Sequence, residues 1–136
     1  MQVNSIMSEY VTTVQPDDTA REVARVILED ETGSVVVETD TPLGIVAEYD
    51  LIKMVADDRD PNKTTASDIM SEGLITIEGS ETVEEAARVM KENDIKKLPV
   101  TYGGALVGIV TATDISYAVP EIVENLNGVV ETDGSR

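Results

Sequence analysis

The side chains best suited to chemistry are a hydroxyl, a carboxylate and two ammonium groups in the second half of the chain. Thr111 and Asp114 are three positions apart, where the apolar stretch Leu106–Val110 gives way to a helical pattern. At a strand-to-helix turn of this kind, free backbone N–H groups and the helix dipole favour an anion. The same two residues would serve equally well as a helix cap and a turn-forming hydroxyl. Lys96 and Lys97 lie just upstream, before Leu98-Pro99-Val100. In so acidic a chain, two adjacent ammonium groups reverse the local sign of charge. A solvated turn with two snorkelling side chains would have the same pattern. An earlier stretch, Gly44-Ile45-Val46-Ala47-Glu48-Tyr49-Asp50, carries the carboxylate but has Ala47 in place of a hydroxyl.

The chain has neither His nor Cys. That removes the commonest general base, the commonest metal ligand, thiolate sites and disulfides. Catalysis would rest on carboxylates, lysine or hydroxyls alone, and no nucleophile–base pair stands at a recognisable spacing. A binding protein is expected rather than an enzyme.

Ten basic residues oppose 27 acidic ones, for a net charge of −17. Such a surface repels phosphate backbones, so nucleic acid and anionic membranes are disfavoured as partners. The acidic residues run throughout the chain, as expected of a halophilic archaeon with a salt-rich cytoplasm. At about 1 M salt the Debye length is only ~3 Å and self-repulsion is screened. An ordinary acidic protein is the alternative. No apolar run is long enough to cross a bilayer, and the N-terminus lacks a basic-then-apolar leader pattern, so a soluble cytoplasmic protein is expected.

The elements that must position these groups come from an internal duplication. Ile6-Met7-Ser8-Glu9 recurs as Ile69-Met70-Ser71-Glu72, an offset of 63. The same offset pairs Thr19 with Thr82, Glu22 with Glu85, Ala24-Arg25-Val26 with Ala87-Arg88-Val89, and Val37 with Val100. After one inserted residue, Gly44-Ile45-Val46 matches Gly108-Ile109-Val110 and Asp50 matches Asp114, at an offset of 64.

Each copy opens with a short apolar stretch, Val11–Val14 or Leu74–Ile77. Thr19-x-x-Glu22 and Thr82-x-x-Glu85 then have the spacing of capping boxes that start helices. Ala20, Val23, Ala24 and Ile27, and likewise Val83, Ala86, Ala87 and Met90, recur at helical spacing and form one apolar face each. Two short strands follow: Ser34–Val37 and Leu43–Val46 in the first copy, Leu98–Val100 and Leu106–Val110 in the second. A second helix closes each copy, Asp50–Ala56 and Asp114 to about Val119. The fold class is α/β (α+β), two β-α-β-β-α repeats packed sheet to sheet as one pseudo-twofold module. The expected divisions are repeat 1 over 1–60, repeat 2 over 61–124 and a tail over 125–136, with a polar linker from Asp57 to Thr65. The core must be aliphatic, because Phe and Trp are absent.

From residue 1 to about 120 the chain resembles the CBS-domain pair family, or Bateman module. The resemblance rests on Asp68-Ile69-Met70-Ser71, Leu98-Pro99-Val100 and Leu106-Val107-Gly108-Ile109-Val110-Thr111-Ala112-Thr113-Asp114-Ile115, in order on the duplicated frame. It implies a regulatory pair that binds AMP, ADP, ATP or S-adenosylmethionine, with or without Mg, in clefts between the repeats. Such a pair acts on a separate effector enzyme, channel or transporter and dimerises through its helices.

The resemblance also assigns roles to residues. Asp114 would take both ribose hydroxyls, Thr111 the phosphate, and Lys96 and Lys97 would reach the phosphates. Thr12 and Thr32 would wall the Asp114 site, and Ile75 and Ile95 the Asp50 site. Ala47, Gly33 and Ser34 stand where the second repeat has Thr111, Lys96 and Lys97, and Glu48 would sit beside a phosphate, which is unfavourable without a cation between them. The Asp50 site is therefore expected to be weak, empty or selective for a less charged adenosyl ligand. A ligand-free dimer used as an assembly scaffold is the alternative function.

Overall fold

The computed structural model describes residues 1–120. The expected tail over 125–136 and residues 121–124 lie outside them. The chain divides into two compact units, and these are not the two repeats: Val11–Leu74 form one, while Met1–Tyr10 join the chain from Ile75 onward to form the other.

The Val11–Leu74 unit runs β1 (Thr13–Val14), α1 (Ala20–Asp30), β2 (Ser34–Glu38), β3 (Pro42–Ala47), α2 (Glu48–Ala56) and α3 (Ala66–Ile69). The other unit begins with a 3-10 turn at Val3–Ser5. It continues with β4 (Ile77–Glu78), α4 (Val83–Asn93), β5 (Lys97–Tyr102), β6 (Ala105–Thr111) and α5 (Ala112–Ala118). Each unit holds a three-stranded sheet, ordered β1-β2-β3 in one and β4-β5-β6 in the other. The first pairing is parallel and the second antiparallel in both. The described residues thus form a mixed α/β fold with two three-stranded sheets, as the repeat pattern predicts, and five helices, one more than the four it implies.

The middle strands are the apolar ones because both of their faces are covered. Val35, Val36 and Val37 of β2, and Leu98 and Val100 of β5, are at most 2% exposed. Each antiparallel pair shifts register once, after Val37 in one sheet and after Val100 in the other. The strands β5 and β6 are joined by Gly103-Gly104, both at positive φ (58° and 88°), the geometry of a tight two-residue hairpin.

Thr19 caps α1 as its spacing predicts: its hydroxyl accepts the Glu22 amide, and the Glu22 carboxylate accepts the Thr19 amide. The copy at α4 keeps only half of this box. Thr82 accepts the Glu85 amide, but the Glu85 carboxylate is taken up by Arg88, a stronger charged partner than a backbone N–H. The apolar face of α4 is buried as expected, with Val83, Ala86, Ala87 and Met90 at 3% exposure or less.

The segment read as a polar linker is held against its own unit. Thr64 is buried, and its carbonyl accepts the Ala20 amide at 2.8 Å. Thr65 then caps the short α3 in a reciprocal box with Asp68, which the sequence reading did not anticipate.

Candidate functional site

Thr111 ends β6 and Asp114 lies in the first turn of α5, so the strand-to-helix turn brings them together. The Thr111 amide donates to Asp114 Oδ2 at 2.9 Å, and the Asp114 amide donates to Thr111 Oγ1 at 3.0 Å. The two residues therefore form a complete capping box. That role does not exhaust Asp114, whose half-exposed carboxylate retains Oδ1 and further lone pairs.

Lys97 sits directly across the ladder from Thr111, and the Lys96 carbonyl accepts the Ala112 amide at 2.8 Å. The β5–β6 pairing thus collects Lys96, Lys97, Thr111 and Asp114 at one end of one sheet. Both lysines are half-buried.

The same corner of the other unit has the same backbone and different chemistry. Ser34 pairs with Ala47, and the Gly33 carbonyl accepts the Glu48 amide at 3.1 Å. Asp50 Oδ2 accepts the Ala47 amide at 2.7 Å. The register therefore superposes Gly33 on Lys96, Ser34 on Lys97, Ala47 on Thr111 and Asp50 on Asp114, as the one-residue insertion implied. Glu48 is exposed at the start of α2, which adds negative charge where the other corner has Ala112.

Asp50 also lines a pocket of about 210 Å³ with Lys53, Asp57, Arg59 and Asp68. Lys53 pairs with Asp57 at 2.8 Å, while Arg59 and Asp68 are 3.9 Å apart. The hydrogen bond and attraction from Asp57 raise the Lys53 pKa above its ordinary value, and the bonds from Thr65 lower that of Asp68. Among the described residues no cluster of His, Cys, Asp or Glu is arranged to hold a metal ion, and no helix is long and apolar enough to cross a membrane.

The sequence matches the CBS domain twice, over residues 3–57 and 66–121. This chain belongs to the CBS-domain family. An uncharacterized protein of Methanopyrus kandleri is 39% identical over 128 residues, which are 91% of this chain and 65% of that protein. The chain thus spans just under two thirds of that relative, and 35% of a relative from Methanocaldococcus jannaschii that is 30% identical. Hypoxic response protein 1 of Mycobacterium tuberculosis is 30% identical over 85% of this chain and 83% of its own length.

Among solved structures, Hypoxic Response Protein I with two coordinated zinc ions aligns with a TM-score of 0.79 at 28% identity, over 88% of this chain and all of that one. The CBS domain pair of protein MJ0100, in complex with 5′-methylthioadenosine and S-adenosyl-L-methionine, aligns at 0.77 and 26% identity, over 89% and 97%. These relatives do not assign the chain to a halophilic source.

Within the CBS pair the remaining expected site residues fall in different units. Ile75 and Ile95 are partly buried against the core of the unit that carries Asp114. Thr12 and Thr32 belong to the unit that carries Asp50. The Thr12 hydroxyl donates to Asp30 Oδ2 at 2.9 Å and that of Thr32 to the Ser34 carbonyl at 3.1 Å.

The sequence reading passed over the role of the Ile-Met-Ser segments. Ser8 pairs with Ile109 through two backbone bonds of 2.8 and 2.9 Å, and the Ser71 amide donates to the Ile45 carbonyl at 2.9 Å. Each segment flanks the strand that leads into a candidate corner. Their recurrence in the duplication was the available signal.

Proposed function

We propose that this CBS pair is an adenosine-ligand sensor in the cytoplasm that regulates a separate partner by binding rather than by turnover. The observation that carries this reading is the Thr111–Asp114 corner: a hydroxyl and a carboxylate at a helix start, with Lys96 and Lys97 beside them in a chain of net charge −17. A phosphorylated ligand such as AMP, ADP or ATP suits this corner, with Asp114 on the ribose hydroxyls and Thr111, Lys96 and Lys97 toward phosphate. The Asp50 corner, with Ala47 and Glu48, suits a less charged adenosyl ligand, or a nucleotide whose phosphate is bridged by Mg. The adenosyl ligands of the MJ0100 pair support the ligand class.

We further propose a homodimer. The outer face of α2 exposes Tyr49, Ile52 and Val55 at 70%, 67% and 66%, and such an apolar stripe is suited to burial against a second copy.

The test is a thermal-shift series with AMP, ADP, ATP, S-adenosylmethionine and 5′-methylthioadenosine. A ligand at 100 times its Kd adds about 2.7 kcal/mol of stability. A rise in Tm with a phosphorylated member supports the sensor. No shift with any of the five would leave the assembly scaffold as the better reading.

A further inference from the structure

The first ten residues are bound to the unit of Asp114 much as a separate peptide would be. Val3 is fully buried in that unit's core, its amide donates to the Glu81 carbonyl, and the Val83 amide donates to the Met1 carbonyl. Asn4 donates to the Gly79 carbonyl. Ser8 then adds an edge to β6 at Ile109, and Met7 lies over Gly108.

A Cβ at Gly108 would stand 2.6 Å from the Met7 sulfur and 2.7 Å from the Ser8 carbonyl oxygen. Gly108 does not have a positive φ, so glycine is required there for space and not for backbone conformation. Val110 and Thr111 follow at 0% and 6% exposure. The N-terminal segment therefore contacts β6 two to three residues before the corner that holds Thr111 and Asp114.

We propose that Met7, seated on Gly108, is a positioning residue for the Thr111–Asp114 corner. The N-terminal segment acts as a strap that holds the end of β6 in its binding geometry. This deepens the proposed function and rests on it. The other unit supplies a matched control, because a Cβ at Gly44 would stand 2.8 Å from the Met70 sulfur and 2.7 Å from the Ser71 carbonyl oxygen. Gly44→Ala therefore makes the same steric demand beside the Asp50 corner.

The experiment compares Gly108→Ala and Gly44→Ala in the full chain, by calorimetric titration of AMP and by amide hydrogen exchange. Gly108→Ala should weaken AMP on the order of tenfold, equivalent to about 1.4 kcal/mol. It should also speed exchange at the Ser8, Thr111 and Asp114 amides, while Gly44→Ala leaves both readouts near wild type. Equal losses of affinity in the two variants would indicate a general packing defect and overturn the proposal. So would wild-type exchange at Thr111 and Asp114 in Gly108→Ala.

If the wild-type chain binds no AMP, the nucleotide reading fails, and the exchange comparison still decides the strap. If Gly108→Ala does not fold, Met7→Ala removes the sulfur contact without adding atoms and is read by the same two outcomes.

Discussion

Asp50 accepts the Ala47 amide at 2.7 Å, and Ala47 has no hydroxyl with which to accept the Asp50 amide in return. Thr111 and Asp114 complete that exchange at the matching corner. Ala47 already has the extended conformation of an N-cap, at φ −106° and ψ 167°, which a β-branched residue adopts readily. Ala47→Thr should therefore complete the box and stabilise the protein by about 1 kcal/mol. A thermal melt should show a rise of roughly 4 °C. An unchanged or lowered Tm would mean that the corner cannot accept the hydroxyl.

Asp114→Ala should abolish tight nucleotide binding, while Asp50→Ala has a much smaller effect. Hydrogen bonds to a charged group contribute about 1.5–3 kcal/mol each. Loss of two ribose bonds then costs roughly 3 kcal/mol, or about a hundredfold in affinity. Asp114 also accepts the Thr111 amide, so the variant should lose about 1 kcal/mol of stability, to be measured separately by denaturation. Calorimetric titration of AMP and ATP into both variants decides. If Asp50→Ala is the damaging change, the two corners have been assigned the wrong way round.

A fragment ending at Asp60 should show no cooperative melt. It keeps the strap that belongs to the other unit and loses Ala66, Ile69 and Met70, which pack into its own core. Full burial of a large aliphatic side chain contributes about 1.5–3 kcal/mol, and Ile69 and Met70 are partly buried, so the loss is a sizeable fraction of the ~5 kcal/mol at the lower end of domain stabilities. Circular dichroism against temperature is the measurement, and a cooperative monomeric transition would contradict the expectation.

Salt should stabilise the fold. Ion pairs such as Lys53–Asp57 and Arg88–Glu92 neutralise few of the 27 acidic residues. The remaining repulsion is screened as the Debye length falls from about 30 Å at 0.01 M to about 3 Å at 1 M. Melts in low and multimolar potassium chloride should show Tm rising with salt, and equal values would remove the case for a salt-adapted surface.

The sequence by itself determined what is local. The helices at Ala20–Asp30 and Val83–Asn93 were legible because capping threonines and apolar spacing act within a few residues. Strands β2, β3, β5 and β6 were legible because short aliphatic runs lie between turn residues. Strands β1 and β4, by contrast, are only Thr13–Val14 and Ile77–Glu78, shorter than or offset from the apolar stretches Val11–Val14 and Leu74–Ile77. The correspondence of Asp50 with Asp114 followed from the duplication alone. Even the missing cap hydroxyl of the Asp50 corner was visible in Ala47.

Other features depended on competition or on distant contacts. Glu85 chose Arg88 over the Thr82 amide because the charged partner is stronger. Which docking segment meets which sheet was decided only by tertiary structure. Ile6-Met7-Ser8 and Ile69-Met70-Ser71 are the same tripeptide, and Gly44 and Gly108 are nearly the same socket, so the sequence contains no local preference between the two pairings. The fold seats Met7 on Gly108 and Met70 on Gly44, because the connections of the chain, and not the docking residues, choose between otherwise equivalent partners.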